Sequence, residues 1–235
     1  MKMLRRAAST LCVLVALTIT GLAQISFKPP EVTSVTDAYR PYEVVDDGFV
    51  VLDVSLDNQG AVSGITDLRN PGLSGGGLPI VAPAESIVRK WGFRPAIAPS
   101  GPIPSEMTVV FLVRPPMYFA SQIPPPRNFK PVLPEAREDS ADPDYAPAGI
   151  ISVAYPNYPV NSSTFGSVIV QVTVGPAGDV VATKVLRQMS GPGPFTALST
   201  DALAKWQFQA ATLRGKPVAS KLAIAFVFEP PHAGS

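Results

Sequence analysis

One stretch of this chain occurs twice, and the repeat constrains the fold more than any other feature. Gly48–Val62 reads GFVVLDVSLDNQGAV, and Gly166–Val180 reads GSVIVQVTVGPAGDV. In both copies apolar residues occupy every second position before a turn that contains glycine, a pattern typical of a strand followed by a β-hairpin turn. We therefore expect one face of each strand to be buried and the other face, which carries Asp53 or Gln171, to be exposed to water.

The similarity extends beyond the two hairpins. Trp91-Gly-Phe93 recurs as Trp206-Gln-Phe208, each pair follows apolar residues at helical spacing, and each copy closes with an alternating strand that ends in Pro-Pro. The first helix should begin at or after Pro83. The sequence therefore predicts an α+β fold of two small repeats, each a three-stranded antiparallel sheet with one helix packed on a face, in the order β-β-α-β.

The repeat also predicts how the chain divides. Nine prolines fall between Pro115 and Pro147, a density that favours an extended, solvated spacer between two domains. We expect a signal peptide at 1–23, an extended lead-in at 24–47, the first domain at 48–114, a proline-rich linker at 115–148, the second domain at 149–229 and a disordered tail at 230–235.

The N-terminus has the features of a secretory signal peptide. Lys2, Arg5 and Arg6 precede an apolar stretch, and small residues surround a cleavage point between Ala23 and Gln24. A spanning helix needs about 20 apolar residues, and this segment has fewer. We expect export to the periplasm. The alternative is an uncleaved anchor that holds the protein in the inner membrane and facing the periplasm.

Composition bears on several function classes. Removal of the predicted signal leaves 16 basic residues of the original 19 against 18 acidic residues, so nucleic acid is not an expected partner. The same cleavage removes Cys12, the only cysteine, and the only histidine, His232, lies in the predicted tail. Because the usual bases, nucleophiles and metal ligands are missing, we expect neither an enzyme nor a cofactor or metal site.

Several short motifs of the second copy stand in a specific order. Tyr155-Pro156 precedes Gly166, a turn follows with Gly178-Asp-Val, and the helix leads to Trp206-Gln-Phe208. In this arrangement the chain resembles the C-terminal domain of TonB, the periplasmic end of the energy transducer of Gram-negative outer-membrane transport. The first copy is a diverged relative, because its Tyr-Pro position falls at Asp37-Ala38.

The resemblance implies a binding mode as well as a fold. In that family the domain binds a short peptide of an outer-membrane TonB-dependent receptor by strand addition and transmits force from a proton-driven inner-membrane motor. By the same resemblance the accepting edge would be the last strand, with Ala223, Ala225 and Val227 facing solvent. This predicted edge comprises Lys221, Leu222, Ala223, Ile224, Ala225, Phe226, Val227 and Phe228.

Three functional hypotheses follow. The first is an exported periplasmic protein that binds protein or peptide partners by edge-strand pairing, linked to outer-membrane transport. The second is a membrane-anchored energy transducer, which has the inner-membrane motor as a partner only if the N-terminus is not cleaved. The third is a structural unit in which the edges of the two domains pair with each other and leave no peptide site.

Overall fold

The two halves of the chain share a similar order of elements, with one additional short strand in the second half. The computed structural model describes residues 27–39, 48–69, 80–114, 131–134, 144–157, 164–190 and 194–228. The first unit contains β1 (Glu31–Ser34), β2 (Gly48–Leu56), β3 (Val62–Arg69), α1 (Val81–Val88), β4 (Gly92–Arg94), β5 (Ala96–Ala98), β6 (Gly101–Ile103) and β7 (Ser105–Arg114). The second unit contains β8 (Tyr145–Ala146), β9 (Gly149–Ser152), β10 (Gly166–Val174), β11 (Val180–Ser190), α2 (Phe195–Leu203), β12 (Gln207–Gln209), β13 (Ala211–Leu213), β14 (Lys216–Val218) and β15 (Ser220–Phe228).

The long strands of both units form one continuous six-stranded sheet. Its strand order is β11-β10-β15-β7-β2-β3, and the strands within each unit pair antiparallel as the sequence predicts. The two units meet where β15 pairs in parallel with β7, with Ala223 opposite Val109 and Val227 opposite Val113. The structure therefore has an α+β fold, but its main sheet is shared by the two units.

The helices lie on opposite faces of this sheet. Val50 and Leu52 point into a core that also contains Trp91 and the buried residues of α1. Their neighbour Val51 points the other way, into a second core with Trp206 and the buried residues of α2. Because β7 and β15 run in parallel and their helices lie on opposite faces, the units are related approximately by a twofold axis along these strands.

The segment that leads into the first unit covers the outer face of the second unit's sheet. β1 pairs with β4, and the backbone N–H of Val32 donates a hydrogen bond to Oε1 of Gln171 on β10 at 3.0 Å. Val32 and Ala38 are buried in the same core as Ile169 of β10. The lead-in of the first unit thus supplies apolar contacts to this face of the second unit's sheet.

The segment that leads into the second unit covers the first unit's sheet in return. Oγ1 of Thr108 on β7 donates to the carbonyl oxygen of Ala148 at 2.8 Å, and Ile150 is buried in a core with Val51 and Val110. Asp53 and Gln171 are consequently 2% and 6% exposed. The prediction that these two positions face water is wrong, because both faces of the sheet are covered.

The described parts of the predicted linker are packed against the protein. Val132 exchanges backbone hydrogen bonds with Ile150 at 2.8 and 2.7 Å, and Tyr145 of β8 is buried beside Phe27. The expectation of a solvated spacer is therefore wrong at Val132 and at residues 145–148, whereas Pro131 and Leu133 are exposed. The predicted cleavage point at Ala23 and Gln24, the acidic positions at 135–142 and the predicted tail lie outside the described residues.

The helices follow the predicted apolar stripes. α1 begins at Val81, so the prediction that it begins at or after Pro83 is wrong by two residues; Pro83 is tolerated there because the first turn of a helix has no intrahelical N–H bonds to lose. Ala84, Ile87 and Val88 are buried, as the spacing predicts. In α2, Phe195 and Leu203 are buried, and the chain then continues into Trp206.

We predict that the two tryptophans differ in what they contribute to stability. Both are 5% exposed, but Nε1 of Trp206 donates to the carbonyl oxygen of Ala154 at 2.8 Å, whereas Nε1 of Trp91 has no partner among the described residues. Trp206→Phe should lower the free energy of unfolding by about 1 kcal/mol more than Trp91→Phe, because only the former loses a hydrogen bond. Urea titrations followed by circular dichroism would measure the difference. Equal losses would contradict this assignment.

Candidate functional site

The motif residues of the second unit hold its elements together. A Cβ atom at Gly166 would lie 2.6 Å from the Phe195 ring. β10 and α2 therefore lie so close together that only glycine fits at this position. Gly178 has φ +82°, and a Cβ there would lie 2.5 Å from the carbonyl oxygen of Phe208. These glycines are required for packing.

The same motif ties the Tyr155-Pro156 segment to the strand after α2. Trp206 donates to Ala154, the residue before Tyr155, and its ring lies 5.8 Å from Phe49, 6.0 Å from Phe208 and 6.0 Å from Phe226. Tyr155 packs partly buried against the core, and Pro156 is buried. The six motif residues therefore lie in one half of the molecule but do not converge on a single surface site.

The predicted peptide-binding edge lies on β15 and is occupied. Residues Ala223 to Phe228 pair with Val109 to Arg114 of β7 on one side, and the whole strand pairs with β10 on the other. A peptide could add at this edge only if β7 left it. Ala223, Ala225 and Val227 are at most 1% exposed, so the expectation that they face solvent is wrong. They contact the first unit's core, which also contains Val109 and Phe111.

The second unit retains an outer edge at β11. This strand is 11 residues long, it lies at the end of the sheet, and no described residue pairs with its outer side. Val180, Val181 and Val185 are 37%, 62% and 41% exposed. Three exposed valines on one edge strand are unusual, because large exposed apolar groups tend to mark interaction surfaces and exposed strand edges are usually protected.

A groove runs beside this edge on the α2 face of the sheet. Its volume is about 730 Å³, and its walls come from the β10–β11 turn, β11, the end of α2 and β12. Val180, Thr183, Leu203, Trp206 and Phe208 line it. Asp179, Thr200 and Gln207 also line the groove, so a segment beside β11 would have mixed apolar and polar neighbours on this side.

The opposite side of β11 carries two basic residues beside the partly buried Leu186. Lys184 lies opposite Gln171, and Arg187 lies opposite Ile169, on the face that β1 crosses. Arg187 forms an ion pair with Asp37, and Glu31 of β1 forms ion pairs with Lys221 and Arg94. The carboxylates thus bridge the lead-in of the first unit to the sheet of the second.

These contacts lower the pKa of both carboxyl groups. The hydrogen bond from Lys221 is the main reason that the pKa of Glu31 lies below 4.5, and the charges of Lys221, Arg94 and Lys184 add to it against the opposing effect of burial. The hydrogen bond from Arg187 lowers the pKa of Asp37 in the same way. Both groups are therefore anionic at neutral pH.

The described part of the chain offers neither a metal site nor a membrane-spanning helix. It holds no group of three or more His, Cys, Asp or Glu side chains placed to bind a metal ion. Neither α1 nor α2, the two helices within it, has the length and apolar character needed to cross a membrane.

Comparison with known proteins supports the resemblance for the second unit. Residues 152–230 match the family model described as Gram-negative bacterial TonB protein C-terminal. The matched residues run from the end of β9 to just beyond β15, so the match concerns the second unit alone. No curated protein and no solved structure matched the chain. The match does not extend to the first unit, so its descent from the same family stays a prediction.

Sequence reasoning did not identify β11 as a candidate surface. The alternating valines of β10 were the stronger signal, and they are buried. The available clue was that Val180, Val181 and Val185 form a second apolar series on a strand predicted to follow a hairpin turn. Only the sheet order reveals that this series lies at an end of the sheet.

We predict that the Glu31 contacts make stability depend on pH. Because its folded-state pKa is lowered, Glu31 stabilises the fold fully above its ordinary value of 4.5 and loses this contribution as pH falls through the lowered pKa. Glu31→Gln and Lys221→Met should each reduce the slope of unfolding free energy against pH in this acid range. The total change in unfolding free energy across the range should fall by about 1 kcal/mol or less. Urea titrations between neutral pH and pH 3 would measure it. A slope unchanged in both variants would contradict the role given to this contact.

Proposed function

We propose that this chain is an exported envelope protein that binds an extended segment of a partner protein at the outer edge of β11. The observation that carries the proposal is the edge itself, which lies on the end strand of the sheet and carries three exposed valines. The bound segment would become a seventh strand, with backbone hydrogen bonds supplying most of the affinity. The family match at residues 152–230 supports a partner in outer-membrane transport, such as a TonB-dependent receptor.

Two observations favour β11 over the other edges. The edge of β15 is filled by β7, which already supplies the hydrogen bonds that a peptide would make. At the far end of the sheet, Val62 and Ile65 of β3 pack against the first core and offer less exposed apolar surface than the valines of β11. Within the described residues, β11 combines an end position with exposed apolar side chains and an adjacent groove.

The β11 edge also has features that limit indiscriminate pairing. Its register against β10 shifts twice, between the partners of Ile169 and Val170 and again between those of Thr173 and Val174. Such bulges twist an edge strand, and a charged residue such as Lys184 discourages association with purely apolar strands. These features favour a selective binding edge.

A closed structural unit is the second candidate function, and the parallel pairing of β7 with β15 favours it. In that case the sheet would only hold the two units together, and β11 would bind nothing. The transducer hypothesis remains an alternative that depends on residues 1–23, which lie outside the described residues. Intact mass and membrane fractionation would distinguish a product that begins near Gln24 from an anchored chain.

Adjacent proline substitutions test the proposed edge. Neighbouring residues of a strand direct their N–H groups to opposite sides, so one of Ala182 and Thr183 faces β10 and the other faces outward. We expect that proline at the outward position leaves stability nearly unchanged and abolishes binding, because it removes a donor and blocks a neighbouring strand. Proline at the other position should destabilise the sheet.

The probe for this experiment is a fluorescein-labelled peptide of alternating valine and serine. Its length of seven residues is about that of one strand. Fluorescence anisotropy with the mature protein gives its affinity, and thermal denaturation identifies the proline variant that remains folded. Unchanged binding by that variant would overturn the proposal. Faster hydrogen exchange in β7 on peptide binding would also overturn it, because the peptide would then have displaced β7 from β15.

A further inference from the structure

The two sides of β11 present different chemistry to a strand placed beside it. Successive side chains of a strand point to opposite faces, so alternate residues of a bound segment would meet different surroundings. The α2 side offers Val180, Thr183 and Val185 with the apolar groove next to them. The β1 side offers Ala182, Lys184 and Arg187, with Leu186 partly buried against the core on the same face.

The apolar side has room for further side chains. Leu203 and Trp206 are almost fully buried, yet they border the groove of about 730 Å³. A valine-sized side chain beside Thr183 would extend the second core outward and cover part of Val180 and Val185. Each such side chain removes apolar surface from water on both partners.

The charged side carries an excess of cations. Four basic side chains, Lys184, Arg187, Lys221 and Arg94, surround two carboxylates, Glu31 and Asp37. The net charge of this group is therefore +2. Lys184 and Arg187 are both exposed on the edge strand, where a neighbouring strand can contact them.

We infer that the β11 edge binds an extended partner segment in which apolar side chains alternate with acidic ones. This inference rests on the proposed function of the edge. The apolar side chains face the α2 groove, and the acidic side chains face Lys184 and Arg187. Opposite charges placed across neighbouring strands stabilise their pairing, and like charges weaken it. A basic segment is therefore selected against at the same edge.

The electrostatic contribution per residue is modest, but several positions act together. A cross-strand pair of opposite charges at an exposed edge changes affinity by a factor of about 1.5 to 5. An acidic segment that meets two cations should therefore bind about fivefold more tightly than a neutral segment of the same apolar residues. The preference should decline with added salt, because exposed charges are screened.

Three peptides test this inference on the chain that begins at Gln24 and runs to the C-terminus. They have the sequences Val-Glu-Val-Glu-Val-Glu-Val, Val-Ser-Val-Ser-Val-Ser-Val and Val-Lys-Val-Lys-Val-Lys-Val, and anisotropy gives their affinities in low and moderate salt. We expect the glutamate peptide to bind most tightly and the lysine peptide least. Lys184→Glu should remove or reverse this order, whereas Lys90→Glu, a charge reversal after α1 in the other unit, should preserve it.

The outcomes separate the inference from the function on which it rests. Equal affinities for the three peptides, with binding still lost in the outward-facing proline variant, would overturn the acidic preference and leave the edge site in place. No binding by any peptide would overturn both. Sedimentation velocity completes the test, since self-association that Lys184→Glu or the proline variant abolishes would mean that a second copy of the chain occupies this edge.

Discussion

The pairing of β7 with β15 is the interaction on which the rest of this structure depends. A three-stranded sheet with a helix on one face leaves its last strand with an unpaired edge and a bare second face. Here the two units satisfy both requirements for each other. β7 and β15 join their edges in parallel, and the parallel direction puts the helices on opposite faces.

The mutual covering by the leading segments follows from that arrangement. Once the units share a sheet, the outer face of each lies within reach of the other's leading segment. Val32 bonds to Gln171 on one face, and Ala148 accepts from Thr108 on the other. The ion pairs of Glu31 and Asp37 hold the first of these segments in place. A further strand could then add to this sheet at its ends, where β11 has the more apolar edge.

Sequence reasoning predicted the elements well and their surroundings less well. The alternating valines of β10 and the Trp-x-Phe motif fix local structure through short-range periodicity, and these elements occur where they were expected. Periodicity carries no information about which edges meet, so the burial of Ala223, Ala225 and Val227 was not predictable. The exposure predicted for Asp53 and Gln171 was wrong for the same reason. Polar residues in a strand predict a face exposed to water, and the sequence does not show that another segment covers that face.

The candidate site shows the same division. The resemblance to the TonB C-terminal domain pointed to an edge strand as the binding element, and residues 152–230 match that family model. It also pointed to β15, whose edge is taken by an element from outside the matched region. The proposed site at β11 depends on sheet order, on exposed valines and on the placement of Lys184, none of which a repeat or a motif encodes.

Disulfide cross-linking of β7 to β15 in the mature protein tests this account most directly. Val109 and Ala223 are register partners in the parallel pair and lie in the same core, and neighbouring strands lie about 4.8 Å apart, within the range of Cα separations that a disulfide spans. The Val109→Cys, Ala223→Cys double variant should form an intramolecular disulfide, detected by mass spectrometry, whereas the Val109→Cys, Val227→Cys control should not. A disulfide in neither variant, or in the control alone, would contradict the shared sheet. The edge of β15 would then be available to bind a peptide.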